Sequence, residues 1–350
     1  MKNATKLLPL AAFAASSFLS FAQAAPDTTS DAPAPNNLMQ DCLLSAMAEA
    51  PADTPVGELR KKCAQTINNV SNGQTQAQEL PTEDMTPVQQ RMYEDQINYG
   101  RDYVISPFKP NYFLLTYSSD PNNKPFEPIT GDKDVLKKEE AKFQVSLKAP
   151  LWRDMFATNN DLMFAFTSIS WWQVNNDDDE NSNAFRETNY EPEIFVRHYG
   201  GPKLPFGGQV SAFDVGLNHQ SNGRTQLLSR SWNRVMGRLY MDYGDIAVAL
   251  RAWYRIPESK NDDDNPRMYK YYGAGDIMVA YAPNKNTFTA MLRPGTEENG
   301  LELTWSYPVS RYLRVYAQYW NGYGESLLDY DVRVERIGIG IALNDWLQRN

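Results

Sequence analysis

The stretch FDVGLNHQSNGRTQLLSRSWNRVMGRLYM, residues 213–241, decides how the rest of the chain is read. Phe213, Val215, Leu217, His219 and Ser221 recur two apart, and in a strand such residues share one face. A polar, glycine-containing turn around 223–228 leads to a second run, in which Asn233, Val235, Leu239 and Met241 keep one parity. Folding the hairpin about residue 226 sets Asn233 opposite His219, because both are equally far from that centre, and opposed residues share a face. The other parity holds Asp214, Gly216, Asn218, Arg234 and Arg238. In a soluble sheet the apolar face would pack into a core and close off its His and Ser. In a membrane barrel that face would meet lipid.

The three polar groups on this face have complementary chemistry. Ser221 lies at strand spacing from His219, a nucleophile beside a base, and Asn233 can accept from the imidazole N–H and so fix which nitrogen takes the serine proton. A neutral Asn suits a lipid-facing position, where an unpaired carboxylate costs on the order of a few kcal/mol. The second histidine, His198, has no serine at strand spacing and reads as structural. Gly223 offers a backbone N–H two residues beyond Ser221, in a turn where it can meet a tetrahedral oxygen.

Composition fits a barrel. Aromatic residues make up 12% of the 350-residue chain, although its mean hydropathy is −0.57. The formal charge of −9 argues against a nucleic-acid partner, and the acidic runs Asp177–Glu180 and Asp262–Asp264 read as loops. From residue 111 onward short apolar–polar alternations are bounded by Asn, Asp, Gly and Pro. Twelve candidate strands follow, from Asn111–Ser118 to Asp331–Asn344, with Glu191–Tyr199 and Tyr271–Pro283 among them. An even number lets the first and last strands pair antiparallel. The clearest strand alternates Ile337, Ile339, Ile341 and Leu343 with Gly338, Gly340 and Ala342, one face for lipid and one small enough for the lumen. Trp171-Trp172, Tyr271-Tyr272 and Tyr319-Trp320 are expected in interfacial girdles.

Ahead of the barrel, residues 1–24 read as a signal peptide: Lys2 and Lys6, an apolar segment, then Ala22-Gln23-Ala24. Residues 25–97 read as a periplasmic linker holding a small helical hairpin, and 98–350 as the barrel domain. Leu38, Met39, Leu43, Leu44 and Met47, then Val56, Leu59 and Cys63, follow helical spacing, and 71–90 reads as linker again. Cys42 and Cys63 are the only cysteines, and in an exported chain an even pair implies a disulfide, here joining two short helices.

NHQSNGR and SRSWNR, with FRETNYEPEIF at 185–195, SWWQ at 170–173, DDNP at 263–266 and NGYGESLLDY at 321–330, resemble the outer membrane phospholipase A family of Gram-negative bacteria over residue 98 to the C-terminus. The resemblance implies hydrolysis of phospholipid and lysophospholipid acyl esters in the outer membrane, with Ser221, His219 and Asn233 as triad and Gly223 in the oxyanion hole. It also implies a calcium ion whose site forms only when two barrels meet in a homodimer. The ligands carried over are the Arg224 carbonyl, the Ser229 hydroxyl and, from the second barrel, the Ser182 carbonyl; oxygen donors of mixed type suit calcium. A second family site uses two aspartates, of which Asp264 matches one, while Gln226 holds the other position. Gln220 stands where the family has Asp, and Ser168 where it has Gln. The alternatives are a catalytically silent porin or structural barrel, which would conduct without cleaving esters, and a soluble exported esterase, which would bury the triad.

Overall fold

The computed structural model describes residues 85–98, 105–131, 134–174, 185–259 and 263–347, with Pro55, Gly57, Leu59 and Lys61 ahead of them. The expected signal peptide, the Cys42–Cys63 pair and Ser182 lie outside the described residues.

Twelve strands form one closed antiparallel barrel: β1 Asn111–Ser118, β2 Glu139–Trp152, β3 Asn160–Trp172, β4 Phe185–Tyr199, β5 Gln209–Ser221, β6 Ser231–Tyr243, β7 Ile246–Arg255, β8 Gly275–Tyr281, β9 Thr287–Pro294, β10 Asn299–Ser310, β11 Leu313–Gly322 and β12 Val334–Asn344. Each pairs with its sequence neighbour, and β12 returns to β1 with Ile337 opposite Tyr117 and Gly340 opposite Leu114. Closure leaves every strand with two partners, the condition for crossing a bilayer with strands. No helix of the described residues is long and apolar enough to cross.

The alternation read from the sequence governs both faces. Ile337 and Ile339 are each 61% exposed on the outside, with Phe213, Val215 and Leu217 on the same wall. This exterior suits lipid and not water, which removes the soluble reading. The lumen is filled by charge pairs. Glu140, Arg186, Asp329, Arg336, Glu325 and Lys142 form one buried network, and Lys109, Glu191, Arg234, Glu193 and Arg238 another. Between them, near Tyr112, Lys142 and Glu302, lies a cavity of about 110 Å³, room for a few waters.

Each end holds a segment folded against the barrel residues. The segment 323–333 folds inward, with the Leu327 N–H donating to Asn189 Oδ1 at 2.9 Å and the Leu328 N–H to Glu187 Oε1 at 3.2 Å. At the other end sits a helix, α1 Pro87–Asn98. Val88 and Met92 pack against Tyr199, Ala212, Ala247, Ala280 and Leu347, and Arg91 donates to the Phe108 carbonyl at 2.8 Å. Asp95 on the same face pairs with Lys148.

Within the barrel three expectations change, and ahead of it α1 begins inside the stretch 71–90 that reads as linker. β4 begins at Phe185, six residues before the expected Glu191, with Arg186, Glu187 and Asn189 turned into the lumen; a strand polar on its inner face shows no apolar alternation. Tyr271 and Tyr272 belong to a short helix, Met268–Tyr272, which Gly273 ends at φ 62° before β8 starts. The aromatic pairs do not lie together in a girdle. Trp171, Tyr272 and Trp320 are buried in the lumen, stacked near Lys142, Arg186 or Arg293. For the two strand pairs this is required, because adjacent strand residues point to opposite faces.

Candidate active site

The β5–β6 hairpin is locked on its inner face and free on its outer one. Inside, Trp232 is fully buried and its Nε1–H donates to Gln220 Oε1 at 2.9 Å, while the Arg234 guanidinium lies 4.0 Å from the Trp232 ring centre. Arg234 also donates to Asn218 Oδ1 at 2.9 Å and to Glu191 Oε1 at 3.0 Å. Charge-assisted bonds of this kind, shielded from water, fix strand register and pleat. The outer residues inherit that rigidity.

On the outer face the register sets His219 opposite Asn233 and Ser221 opposite Ser231. His219 Nδ1 and Asn233 Oδ1 are 2.8 Å apart, within hydrogen-bonding distance for an imidazole N–H and an amide oxygen. His219 is exposed and Ser221 half-buried, both on the lipid-facing side. Ser221 Oγ accepts the Gly223 N–H at 3.1 Å, so the hydroxyl is turned toward its own turn. The structure thus brings His219 to Asn233, while the Ser221 hydroxyl bonds the Gly223 N–H and not the imidazole. Gly223 stands at φ 63°, and a Cβ there would meet the Tyr190 ring at 3.3 Å, so glycine suits both the backbone and the space. Beside His219 and Asn233 runs an outward groove lined by Phe164, Pro192, Ile194, Leu217 and Ile256.

Of the residues expected to hold calcium, Arg224 and Ser229 lie in the same turn and Asp264 reaches it. Ser229 Oγ donates to Asp264 Oδ2 at 2.5 Å, so two positions assigned to separate sites are in contact here. The Arg224 side chain is drawn across to the Phe185 and Arg186 carbonyls, at 2.6 and 3.1 Å, which ties the turn to β4. Gln226 is exposed at φ 56°. Among the described residues no group of three or more His, Cys, Asp or Glu gathers as a metal site. A donor set of a carbonyl, a hydroxyl and one carboxylate is all oxygen, the chemistry a hard cation takes.

One contact lies outside what spacing could reveal. Asn233 Nδ2 donates to Glu258 Oε1 at 3.3 Å, a residue three beyond the end of β7.

Comparison with known proteins agrees with this architecture. The family model described as phospholipase A1 matches residues 88–343. Phospholipase A1 of Escherichia coli K12 is 37% identical over 249 residues, covering 71% of this chain and 84% of that protein. The Proteus vulgaris phospholipase A1 is 39% identical over 256 residues, with the same coverage of 71% and 84%. Among solved structures, outer membrane phospholipase A from Escherichia coli superposes with a TM-score of 0.65 at 35% identity, over 70% of this chain and 93% of that one. The Salmonella typhi outer membrane phospholipase, solved as a dimer with bound calcium, gives 0.65 at 35% identity over 70% and 94%. A match spanning most of the chain, in sequence and in the closed barrel alike, means that the chain belongs to the phospholipase A1 family of outer membrane enzymes.

Proposed function

We propose that this outer membrane enzyme hydrolyses the acyl esters of phospholipids and lysophospholipids with Ser221 as nucleophile, His219 as base and then acid, and Asn233 as the group that orients it. The observation that carries this reading is the 2.8 Å contact between His219 Nδ1 and Asn233 Oδ1 on the lipid-facing wall, with Ser221 two residues along the same face. Bonded to Asn233 through Nδ1–H, the imidazole presents Nε2 as the proton acceptor for Ser221. Oγ attacks the ester carbonyl, the proton passes to Nε2, and its return to the leaving alkoxide releases the lysolipid or glycerol fragment. Water then repeats the sequence on the acyl-serine and frees the fatty acid. The Gly223 N–H, already aimed at Oγ, donates to the oxyanion that forms beside it. The open face of the wall lets lipid enter sideways from the bilayer, its acyl chain against Leu217, Ile194 and Phe164.

In a homodimer, the Arg224 carbonyl, the Ser229 hydroxyl and the Ser182 carbonyl of the second barrel would hold a calcium ion, with Asp264, bonded to Ser229, beside them. Bound there, the ion would add positive charge to the oxyanion site, where a single backbone donor leaves the developing charge incompletely balanced. A ligand set shared between barrels makes activity depend on dimer formation.

Serine-directed labelling tests the nucleophile. An alkyl sulfonyl fluoride should form one sulfonate ester per chain at Ser221 Oγ with loss of fluoride, mapped by peptide mass. Labelling that survives Ser221→Ala, or that lands on another serine, contradicts the assignment.

A further inference from the structure

The Asn233 amide is held from both sides. Its Oδ1 faces His219 Nδ1 at 2.8 Å, and its Nδ2 faces Glu258 Oε1 at 3.3 Å. An ionised carboxylate can only accept, so Glu258 must be met by the NH₂ end of the amide. That leaves the oxygen end for the imidazole, which must then carry its proton on Nδ1. The tautomer with Nε2 free, which the reaction needs, is therefore set two bonds away, by a residue on the loop after β7.

Charge points the same way. Glu258 Oε2 accepts from Arg255 Nη2 at 3.4 Å, and the same nitrogen donates to Asp263 Oδ1 at 2.6 Å. Two carboxylates around one guanidinium leave the cluster with one net negative charge. It sits past the end of the strand, where the Glu258 side chain remains 18% exposed, whereas Asn233 borders the apolar groove of Leu217, Ile194 and Ile256. A carboxylate at 233 would carry its charge into that groove. A neutral amide polarised from behind keeps the charge at the aqueous end and passes part of its effect to the imidazolium that forms when Ser221 gives up its proton.

We propose that Glu258 is a positioning residue for the His219–Asn233 pair, orienting the Asn233 amide and lending it the negative charge that a triad built on Asn otherwise lacks. The proposal rests on the reading of Ser221, His219 and Asn233 as catalytic.

The test uses the full chain refolded in detergent, with phosphatidylcholine mixed micelles and calcium, and with folding of each variant checked by its heat-modifiable migration. Glu258→Gln keeps a group of the same shape and removes the charge; kcat should fall roughly tenfold, the scale of a charge-assisted hydrogen bond made neutral, with KM within about twofold. The decisive pair is Asn233→Asp alone and Asn233→Asp with Glu258→Gln. Alone, Asn233→Asp sets two carboxylates against each other and should be slow; adding Glu258→Gln gives the new carboxylate an amide donor and should restore a roughly tenfold faster kcat. A merely structural role for Glu258 predicts that the two losses add. Wild-type kcat in Glu258→Gln together with no rescue in the double variant overturns the proposal. Ser221→Ala assayed alongside separates the two readings: retained hydrolysis there removes the triad itself, whereas a dead Ser221→Ala beside an unaffected Glu258→Gln removes only the role of Glu258.

Discussion

Asn233 is a neutral group at the edge of an apolar groove, and in the proposed triad its contribution is one oriented acceptor. Removing it by Asn233→Ala frees the imidazole to take the wrong tautomer without disturbing the inner-face lock of Trp232, Gln220 and Arg234. Hydrolysis should fall by roughly tenfold to a hundredfold while the barrel still folds; an undiminished rate in a folded variant would show that another group orients His219. The pairing of His219 with Asn233 was legible in the sequence, because hairpin register follows from counting outward from the turn, and the structure has that register. Glu258 was not legible. It reaches Asn233 from the loop after β7, and no period links position 258 to 233. The contact between Ser229 and Asp264 escaped for the same reason, since it joins two loops 35 residues apart.

Strands announced themselves wherever the outer face is apolar and the inner face polar. The alternation failed at the start of β4, where Arg186, Glu187 and Asn189 serve the lumen network and the outward residues Thr188 and Tyr190 are themselves partly polar. The element most fully missed is α1, whose first turn falls in a stretch read as linker. Its signal was present: Thr86-Pro87-Val88-Gln89 spells a capping box with proline at the first helical position. In the structure the Gln89 N–H donates to Thr86 Oγ1 at 3.3 Å and the Thr86 N–H to Gln89 Oε1 at 3.1 Å. Val88, Met92 and Asp95, spaced four and three apart, then share the buried face. Thr86→Ala should cost α1 about 1 kcal/mol, read as roughly fivefold faster amide exchange along 89–95 with exchange in the strands unchanged. Unchanged exchange in α1 would mean that the cap adds nothing once the helix is packed.

At the scale of the whole molecule the barrel depends on closure, and closure depends on β12 lying tight against β1. A Cβ at Gly340 would fall 2.1 Å from the Phe113 carbonyl oxygen, an atom that cannot move without breaking the ladder, whereas one at Gly237 would meet its nearest atom, the Asp214 carbonyl oxygen, at 4.0 Å. Gly340→Val should therefore abolish the heat-modifiable folded form, and Gly237→Ala should keep it; equal folding of both would mean that the seam tolerates displacement. The closed barrel was legible from twelve alternating runs and an even count, while the filling of its lumen was not, since ion pairs between strands far apart in sequence leave no local pattern. Filled from within, with a segment folded into each end, the barrel leaves the proposed triad on its outside, toward lipid. The most direct measurement of that claim is fatty-acid release from phospholipid micelles by the refolded chain, with calcium or with a chelator, for wild type beside Ser221→Ala. Release should require both calcium and Ser221; release that persists in Ser221→Ala, or none from a folded, dimeric wild type supplied with calcium, would overturn the assignment.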